Sequence, residues 1–191
     1  MAFLPPSALA EIGFAGLGAN VLISDKASIY GAERIEIGNN VRVDDFCILS
    51  AGEGGICLGN FIHIAAYTSI IGGGRVVIGD YSNISSKVSI YSSNDDYSGE
   101  FMTNPMVSSR YTNVTCKPVS LDKHVIVGSG SVLLPGISLG EGVALGAMSL
   151  ANKSLDAWGI YAGQPAVWLK NRDKGLLAHE EAFCRHIPQS S

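Results

Sequence analysis

The sequence is poor in charged residues. Asp, Glu, Lys and Arg make up 16% of the 191 residues, whereas hydrophobic residues make up 47% and glycine occurs 23 times. Little polar side-chain surface is left to cover the outside of a monomer, so we expect the chain to associate with copies of itself. The net charge of -4 lacks the positive excess that nucleic acid or an anionic membrane surface attracts, and neither is expected as a partner.

Targeting segments and disulfide patterns are also missing. Residues 1–18 contain no basic region followed by an apolar core, and no apolar run approaches the length of a membrane span. The four cysteines are scattered without a C-x-x-C pair, at Cys47, Cys57, Cys116 and Cys184. We therefore predict a cytoplasmic protein without membrane insertion, whose small thiols are reduced and buried.

What the chain does contain is a six-residue repeat. From Ile35 it reads IEIGNN-VRVDDF-CILSAG, then ICLGNF-IHIAAY-TSIIGG, then VVIGDY-SNISSK-VSIYSS, and after residue 118 it continues VSLDKH-VIVGSG-SVLLPG-ISLGEG-VALGAM. An aliphatic residue occupies the third place of these blocks, at Ile37, Val43, Leu49, Leu58, Ile64, Ile70, Ile78, Ile84, Ile90, Leu121, Val127, Leu133, Leu139 and Leu145. A period held over so many blocks indicates a repeat architecture.

This period predicts short parallel strands wound around a triangular core. Side chains alternate along a strand, so the first and third residues of a block point inward and the second points outward. Gly, Asn and Asp near the block ends suit the backbone conformations of tight corners. Three blocks then make one coil, and successive coils pair through their backbones.

The pattern resembles that of the hexapeptide-repeat acyltransferases over roughly residues 21–172. The segment WGIYAGQPAVWLKNR, Trp158–Arg172, and the opening GFAGLGANVLISDKASIYG are similar to the sugar-acyltransferase branch. That branch includes the maltose and galactoside acetyltransferases and the nucleotide-sugar N-acyltransferases. The resemblance implies an all-β fold, a left-handed parallel β-helix, assembled as a homotrimer. It also implies acetyl-CoA, or another acyl-CoA, as co-substrate in grooves between subunits.

The segments outside the repeat are short. PPSALAEIG, Pro5–Gly13, predicts an N-terminal helix with Ser7 as its cap, and KGLLAHEEAFCRHI, Lys174–Ile187, predicts an amphipathic C-terminal helix. We therefore divide the chain into a lead-in at residues 1–20, a β-helix domain at 21–172 and a helix with a tail at 173–191. A loop excursion at 91–118 interrupts the β-helix domain.

The excursion begins with SSNDDYSGE, residues 92–100. A loop of this length in a compact domain is typically functional or disordered, and its aromatics, carboxylates and prolines do not resemble a disordered tract. The resemblance implies that the loop closes on the active site of a neighbouring subunit. Many O-acetyltransferases of this kind carry a catalytic histidine near the loop's start, but this chain has no histidine between His63 and His124.

The missing histidine favours an amine over a hydroxyl as the acyl acceptor. A sugar hydroxyl needs a general base, whereas part of a sugar amine is already unprotonated near neutral pH. We predict Asp95 and Asp96 as catalytic carboxylates, with Asn94 and Glu100 binding the substrate. By resemblance, the acceptor is a nucleotide-linked deoxyamino sugar of surface polysaccharide, such as lipopolysaccharide O-antigen. The structural alternative is that Asp95 and Asp96 only cap turns of a solvated loop.

His63 is the competing catalytic residue. It points outward between Ile62 and Ile64, and counting along the repeat places Asn83 beside it in the next coil. The pair suits an acceptor-binding surface, and a sugar O-acetyltransferase with His63 as general base is the alternative function. An ordinary interface histidine is the structural alternative. His124 is expected to be exposed at a corner, and His179 and His186 on the surface of the terminal helix.

Small residues late in the repeat predict the site of the pantetheine arm, since an extended amide chain must approach the backbone closely. Candidates are Gly128, Ser129, Gly146, Ala147 and Ser149, and the resemblance adds Gly163 and Pro165, with Lys153, Lys170 and Arg172 for the phosphates. A backbone N–H near Gly128 or Gly146 is expected to stabilise the oxyanion. Alternatively, these glycines only serve corners, and the two lysines and the arginine are simply solvated.

Two other classes fit the residues less well. Zinc enzymes on this fold need three histidines that meet, and the repeat contains only His63 and His124, far apart in register. No metal is therefore predicted. A non-enzymatic β-helix scaffold is the remaining alternative, but the segment resembling a CoA site argues against it.

Overall fold

The structure, a computed structural model, describes residues 2–186. It is a left-handed parallel β-helix of about 7 coils, and the fold predicted from the repeat is confirmed. Strands of successive coils stack in register to form three flat sheets, which are the faces of a prism. We call the corner between sheets 1 and 2 the first corner and the corner between sheets 2 and 3 the second corner. The third corner connects sheet 3 to sheet 1 of the next coil.

The strands are short and most of their pairs are parallel. Sheet 1 contains β1 (Gly16–Leu17), β4 (Ile35–Ile37), β7 (Ile56–Leu58), β10 (Val76–Ile78), β15 (Val119–Leu121) and β18 (Ser138–Leu139). Sheet 2 contains β2 (Leu22–Ile23), β5 (Arg42–Val43), β8 (His63–Ile64), β11 (Asn83–Ile84), β16 (Ile126–Val127), β19 (Ala144–Leu145), β21 (Gly159–Ala162) and the antiparallel β22 (Val167–Asn171). Sheet 3 contains β3 (Ser28–Tyr30), β6 (Ile48–Ala51), β9 (Ser69–Gly72), β12 (Ser89–Tyr91), β17 (Val132–Leu133) and β20 (Leu150–Ala151).

Two α-helices flank the β-helix. α1 spans Pro6–Glu11 and α2 spans Leu176–His186, and the residues beyond 186 in the predicted C-terminal helix and tail lie outside the described part of the chain. The prediction that Ser7 caps α1 is wrong: Pro5 is the cap residue and makes no side-chain hydrogen bond. Proline at the first helical position already has the φ angle of a helix, so α1 begins before Ser7. Within residues 2–186, no helix could span a membrane.

The core consists of the inward-facing residues of the repeat. All third-place aliphatic residues named above are at most 3% exposed, from Ile37 in the second coil to Leu145 near the last. The cysteine prediction is only partly right, because Cys47 is buried and Cys57 half-buried, whereas Cys116 and Cys184 are exposed. Burial raises the pKa of the Cys47 thiol, which keeps it protonated and unreactive.

The residues found at the corners differ from those expected from the sequence. Left-handed backbone conformations occur at glycine and asparagine, but also at Phe46, Phe61, Tyr67, Tyr81, Lys87, His124, Met148 and Trp158. At the first corner, the rings of Phe61 and Tyr81 stack at 5.0 Å between centroids and those of Tyr81 and His124 at 5.2 Å. We call these three residues the ring ladder. Stacking of rings between coils offsets part of the strain of a left-handed non-glycine residue.

The ring ladder is the docking surface of α2. Phe183 packs its ring edge-on against Phe61, with 5.3 Å between centroids. Glu180 accepts hydrogen bonds from Lys123 Nζ at 2.5 Å and from His124 Nε2 at 2.8 Å. The expectation that His124 is exposed is therefore wrong, since α2 and Tyr81 leave it only 8% exposed. His179 and His186 are exposed on α2, as predicted.

We expect the docking of α2 to weaken in acid through Glu180. The hydrogen bond from Lys123, assisted by His124, holds the pKa of Glu180 below its usual value. A lowered folded-state pKa stabilises the docked helix above the unfolded-state pKa, about 4.3 for Glu, and this contribution is lost as the pH falls further. At pH 7, Glu180→Gln should speed amide hydrogen exchange in α2 about tenfold, because hydrogen bonds to charged groups contribute roughly 1.5 kcal/mol.

The matched control is Glu181→Gln on the exposed side of the same helix. It should leave exchange in α2 and its acid dependence unchanged. Equal exchange rates in α2 of Glu180→Gln and Glu181→Gln at pH 7 would contradict the assigned role of Glu180.

Candidate active site

The loop excursion leaves the β-helix at the third corner. Its two ends pair antiparallel as β13 (Ser93–Asn94) and β14 (Thr115–Cys116), with Ser93 opposite Cys116. Despite the insertion, β10 and β15 pair directly in sheet 1, with Val76 opposite Val119. The excursion therefore projects from an uninterrupted scaffold, and its start lies beside the outer face of sheet 3.

The two adjacent aspartates of the excursion have different surroundings. Asp96 accepts hydrogen bonds from the Ser98 hydroxyl at 2.9 and 3.0 Å and from the backbone N–H groups of Gly99 and Phe101 at 3.0 and 3.4 Å. The hydrogen bond from Ser98, with those from the backbone, lowers the pKa of Asp96. Asp96 thus closes a turn, which is the structural alternative raised for both aspartates.

Asp95 is exposed, and its carboxylate makes no hydrogen bond or ion pair with other residues of the described chain. It lines an open cavity of about 470 Å³ at the base of the excursion. The other lining residues are Tyr91, Ser93, Asn94, Tyr97, Val114, Val132 and Leu134. Asn94 is therefore beside Asp95 as predicted, whereas Glu100 is exposed further along the loop, where its N–H donates to Ser98 Oγ.

His63 lies on the outer face of sheet 2, in a chain of hydrogen-bonded side chains. The predicted register is correct, because Asn83 is the strand partner of His63. His63 Nδ1 lies 3.2 Å from Asn83 Oδ1, and Nε2 lies 2.9 Å from Asp44 Oδ2. Asp44 also accepts a hydrogen bond from Arg42 Nε at 2.7 Å. Partial burial raises the pKa of Asp44, but the hydrogen bonds from His63 and Arg42 outweigh it and the pKa is lowered.

Both ring nitrogens of His63 face hydrogen-bonding side chains. A carboxylate only accepts, so Nε2 carries a hydrogen toward Asp44. Asn83 Oδ1 also only accepts, so it bonds to Nδ1 when Nδ1 carries a hydrogen, and with the amide turned the Asn83 NH2 group donates to Nδ1 instead. Within one chain, moreover, His63 on sheet 2 and Asp95 at the third corner stand on different parts of the prism. The structure thus separates two groups of residues predicted as catalytic.

The predicted cofactor residues cluster at the second corner of the last coils. A Cβ on Gly128 would lie 2.4 Å from Ala147 N, and one on Gly146 would lie 2.9 Å from Ala162 Cβ. Gly128, Gly146 and Ala162–Gly163 therefore stack directly on one another, with Ser129, Ala147 and Pro165 exposed beside them. Close packing between coils explains the two stacked glycines, and Ser129, Ala147 and Pro165 present small or compact exposed side chains along the corner.

The prediction of an oxyanion donor near Gly128 or Gly146 stays a prediction, but the structure removes the amides of these two glycines from the candidates. Gly128 N donates to Leu145 O at 2.7 Å and Gly146 N donates to Tyr161 O at 2.7 Å. Both N–H groups are committed to pairing between coils, which is the usual use of a strand-end amide in a solenoid. They are not available to a substrate.

The remaining predicted cofactor residues are scattered. Ser149 is buried, and its hydroxyl accepts a hydrogen bond from Gly163 N at 3.0 Å, so it stabilises the corner. Arg172 donates from Nη1 to the carbonyl oxygens of His124 and Gly142, at 2.8 and 3.0 Å, which ties the end of β22 to the first corner. Lys153 follows β20 and Lys170 lies in β22, both exposed and on different sheets.

Sequence reasoning missed Asp44 and the apolar lining of the cavity. Asp44 was overlooked because its contact with His63 crosses to the following coil, and no spacing within a block reveals it. The cavity had a visible signal: in SVLLPG, the outward second place is Val132 and the fourth is Leu134. On sheet 3, the residues aligned with Val132 in the two preceding coils are Ser89 and Ser69.

A second cavity, of about 360 Å³, lies between α2 and sheet 2. Tyr81, His124, Phe183 and Arg172 are among its lining residues. Its charged groups are already paired, Glu180 with Lys123 and His124, and Arg172 with the backbone carbonyls of His124 and Gly142. No group of three His, Cys, Asp or Glu side chains suited to a metal ion occurs among residues 2–186.

A left-handed β-helix with a small-residue corner near its end and a projecting polar loop defines an acyltransferase of the hexapeptide-repeat class. No family model matches the sequence. A curated relative, dTDP-4-amino-4,6-dideoxy-D-glucose acyltransferase from Escherichia coli, is 54% identical over 183 residues, which are 96% of this chain and 95% of the relative. The chain belongs to this family of hexapeptide-repeat sugar acyltransferases, and the predicted family and enzyme class are confirmed.

Solved structures agree with this assignment. A variant of AntD, an N-acyltransferase from Bacillus cereus, in complex with dTDP-4-amino-4,6-dideoxyglucose and coenzyme A, has 45% sequence identity and a TM-score of 0.92, and covers 96% of this chain and 98% of that one. AntD in complex with dTDP and 3-hydroxybutyryl-CoA has 45% identity and a TM-score of 0.91, with 96% of each chain covered.

Proposed function

We propose that the protein transfers an acyl group from acyl-CoA to the 4-amino group of dTDP-4-amino-4,6-dideoxyglucose. The observation that carries this proposal is the unpaired Asp95 carboxylate in the cavity at the base of the excursion. An ammonium or amine is the complement of such a carboxylate. The similarity to the Escherichia coli acyltransferase and to AntD with its bound nucleotide sugar supports the same acceptor.

The proposed chemistry is direct attack of the amine on the thioester carbonyl. The amine nitrogen forms the new C–N bond and the C–S bond of the thioester breaks after the tetrahedral intermediate. The proton that the nitrogen loses is taken up by the departing sulfur, so CoA leaves as the thiol. Asp95 orients the amine and accepts a hydrogen bond from it as its proton becomes acidic. Asp96 acts indirectly, because its hydrogen bonds from Ser98, Gly99 and Phe101 fix the turn that presents Asp95.

We place the acyl donor at the second corner. Ser129, Ala147 and Pro165 are small or compact exposed residues in successive coils, so a pantetheine arm can run along them. Lys153 and Lys170 are exposed cations that can meet phosphates from either side of the corner. AntD, which binds coenzyme A, supports a CoA thioester as donor.

We also propose that the protein assembles as a homotrimer. In such a trimer, the sheet 2 face of one chain lies toward the excursion of another. Exposed apolar side chains on the excursion support contact with a second chain, and Tyr97 and Met106 are 86% and 93% exposed. We further propose that residues 21–172 are the catalytic unit, flanked by accessory segments, and that the protein works in the cytoplasm, where acyl-CoA and nucleotide sugars are made.

The proposal is tested by incubating the purified protein with acetyl-CoA and dTDP-4-amino-4,6-dideoxyglucose, and measuring free CoA and the N-acylated product. The matched acceptor is dTDP-6-deoxyglucose, with a hydroxyl at C4 in place of the amine. Turnover of the amine alone supports the proposal. Equal acylation of the hydroxyl, or turnover of neither compound, would contradict it.

We expect His63→Ala to retain kcat/KM within about tenfold of the parent enzyme. Both ring nitrogens of His63 are engaged by Asp44 and Asn83, so the residue is a structural part of sheet 2. If His63 were the general base of the alternative O-acetyltransferase, kcat would fall by roughly two to four orders of magnitude. The steady-state rates of CoA release with the amine acceptor and with its 4-hydroxyl counterpart distinguish these outcomes.

A further inference from the structure

The cavity at the base of the excursion combines a carboxylate with an apolar surface. Asp95, Asn94 and Ser93 follow one another along the chain and form its polar side. Val114, Val132 and Leu134, which we call the apolar wall, form another side. The proposed transfer of an acyl group to an amine does not require this wall. We therefore ask which part of the substrate it contacts.

The position of the apolar wall is fixed by the β-helix. Val132 lies in β17 opposite Ser89, and Leu134 follows Leu133, which is opposite Ile90, so both side chains point outward beside Tyr91. Val132 and Leu134 are half-buried, and Val114 reaches the same cavity from the excursion. Two of the three wall residues therefore stand on the rigid scaffold, where their positions do not depend on the loop.

We propose that the apolar wall binds the C6 methyl group of the sugar and thereby selects 4-amino-4,6-dideoxy sugars over their 6-hydroxylated counterparts. This inference rests on the proposed function. In a pyranose ring, C6 is attached to C5, directly beside C4, so the C4 amine and C6 leave the ring as neighbours. A sugar that places its amine against Asp95 presents C6 within a few ångströms of it, where the cavity changes from polar to apolar.

A methyl group against the wall loses contact with water at no cost in hydrogen bonds. A hydroxymethyl group in the same place would lose its hydrogen bonds to water, and Val114, Val132 and Leu134 offer no replacement. Apolar pockets reject a ligand that adds only a hydroxyl by about a hundredfold at most. Because this cavity is open on one side, we expect a preference of about tenfold to a hundredfold in kcat/KM.

The test compares dTDP-4-amino-4,6-dideoxyglucose with dTDP-4-amino-4-deoxyglucose, using acetyl-CoA as donor. For the parent enzyme, kcat/KM should favour the 6-deoxy sugar by the stated factor. Val132→Thr keeps the shape of the side chain but adds a hydroxyl to the wall. It should reduce the preference about fivefold or more, chiefly through KM for the nucleotide sugars, with kcat nearly unchanged.

The matched control is Val77→Thr, the same substitution at an outward position of sheet 1. It should leave the preference unchanged, and equal thermal midpoints of the two variants exclude a folding defect as the cause. Leu134→Asn provides a second test of the wall and should also reduce the preference.

Three results would overturn the inference. Equal kcat/KM for the two amino sugars in the parent enzyme would remove the selectivity while leaving the proposed function intact. An effect of Val132→Thr on KM for acetyl-CoA alone would assign the wall to the acyl donor. Turnover of neither amino sugar would overturn the proposed function together with the inference.

Discussion

Asp95→Asn is expected to lower kcat/KM for dTDP-4-amino-4,6-dideoxyglucose by about a hundredfold. The amide keeps the size of the side chain but loses the negative charge and one acceptor. Hydrogen bonds to charged groups contribute about 1.5–3 kcal/mol, and each 1.4 kcal/mol corresponds to a factor of ten. The loss should appear in KM for the nucleotide sugar, with a further decrease in kcat, and little change in KM for acetyl-CoA.

Two controls separate this effect from general damage. Asp122→Asn changes an exposed aspartate at the first corner, away from the excursion, and should leave kcat/KM unchanged. Asp96→Asn weakens the turn that supports Asp95 and should have a smaller effect than Asp95→Asn. An Asp96→Asn variant less active than Asp95→Asn would reverse the roles assigned to the two carboxylates.

Ile70→Ala is expected to destabilise the protein by about 2–5 kcal/mol. Ile70 is fully buried in the middle of sheet 3, between Leu49 and Ile90 of the adjacent coils. Truncation removes buried methyl groups and leaves a cavity that a stack of paired strands cannot easily close. The measurement is the free energy of unfolding from denaturant titration, at one protein concentration for all variants.

Ile71→Ala supplies a control of the same residue type in the same strand. Ile71 points outward and is partly exposed, so its truncation should cost less than about half as much. If both variants lost the same free energy, the assignment of inward and outward places in the repeat would be wrong for this coil.

The fold was predictable because its information is local and repeated. Each block carries an inward aliphatic residue such as Ile64 or Ile84, and counting blocks was enough to pair His63 with Asn83. The identity of the corner residues was less predictable. Tyr81 and His124 hold left-handed backbones because their rings stack across coils, which depends on contacts between residues far apart in sequence.

The site was predictable in outline and not in detail. The missing histidine and the carboxylates of SSNDDYSGE predicted a site for an amine acceptor at the excursion. The sequence could not distinguish Asp95 from Asp96, because the difference arises from a turn closed by Ser98 and the backbone of Phe101. Which amide near Gly128 or Gly146 could be an oxyanion donor was unpredictable for a related reason: whether an amide such as Gly146 N–H is free depends on the coil that follows it.

The continuous pairing of β10 with β15 has a consequence for how such enzymes diversify. The excursion enters and leaves through the adjoining residues Ser93 and Cys116, so its length and composition can change without altering the register of the coils. Evolution can therefore exchange the insertion, where we propose that the acceptor binds, as a unit while the second corner, our proposed donor site, is inherited unchanged. The same junction is a natural place to graft the insertion of a relative and obtain an enzyme for a different sugar.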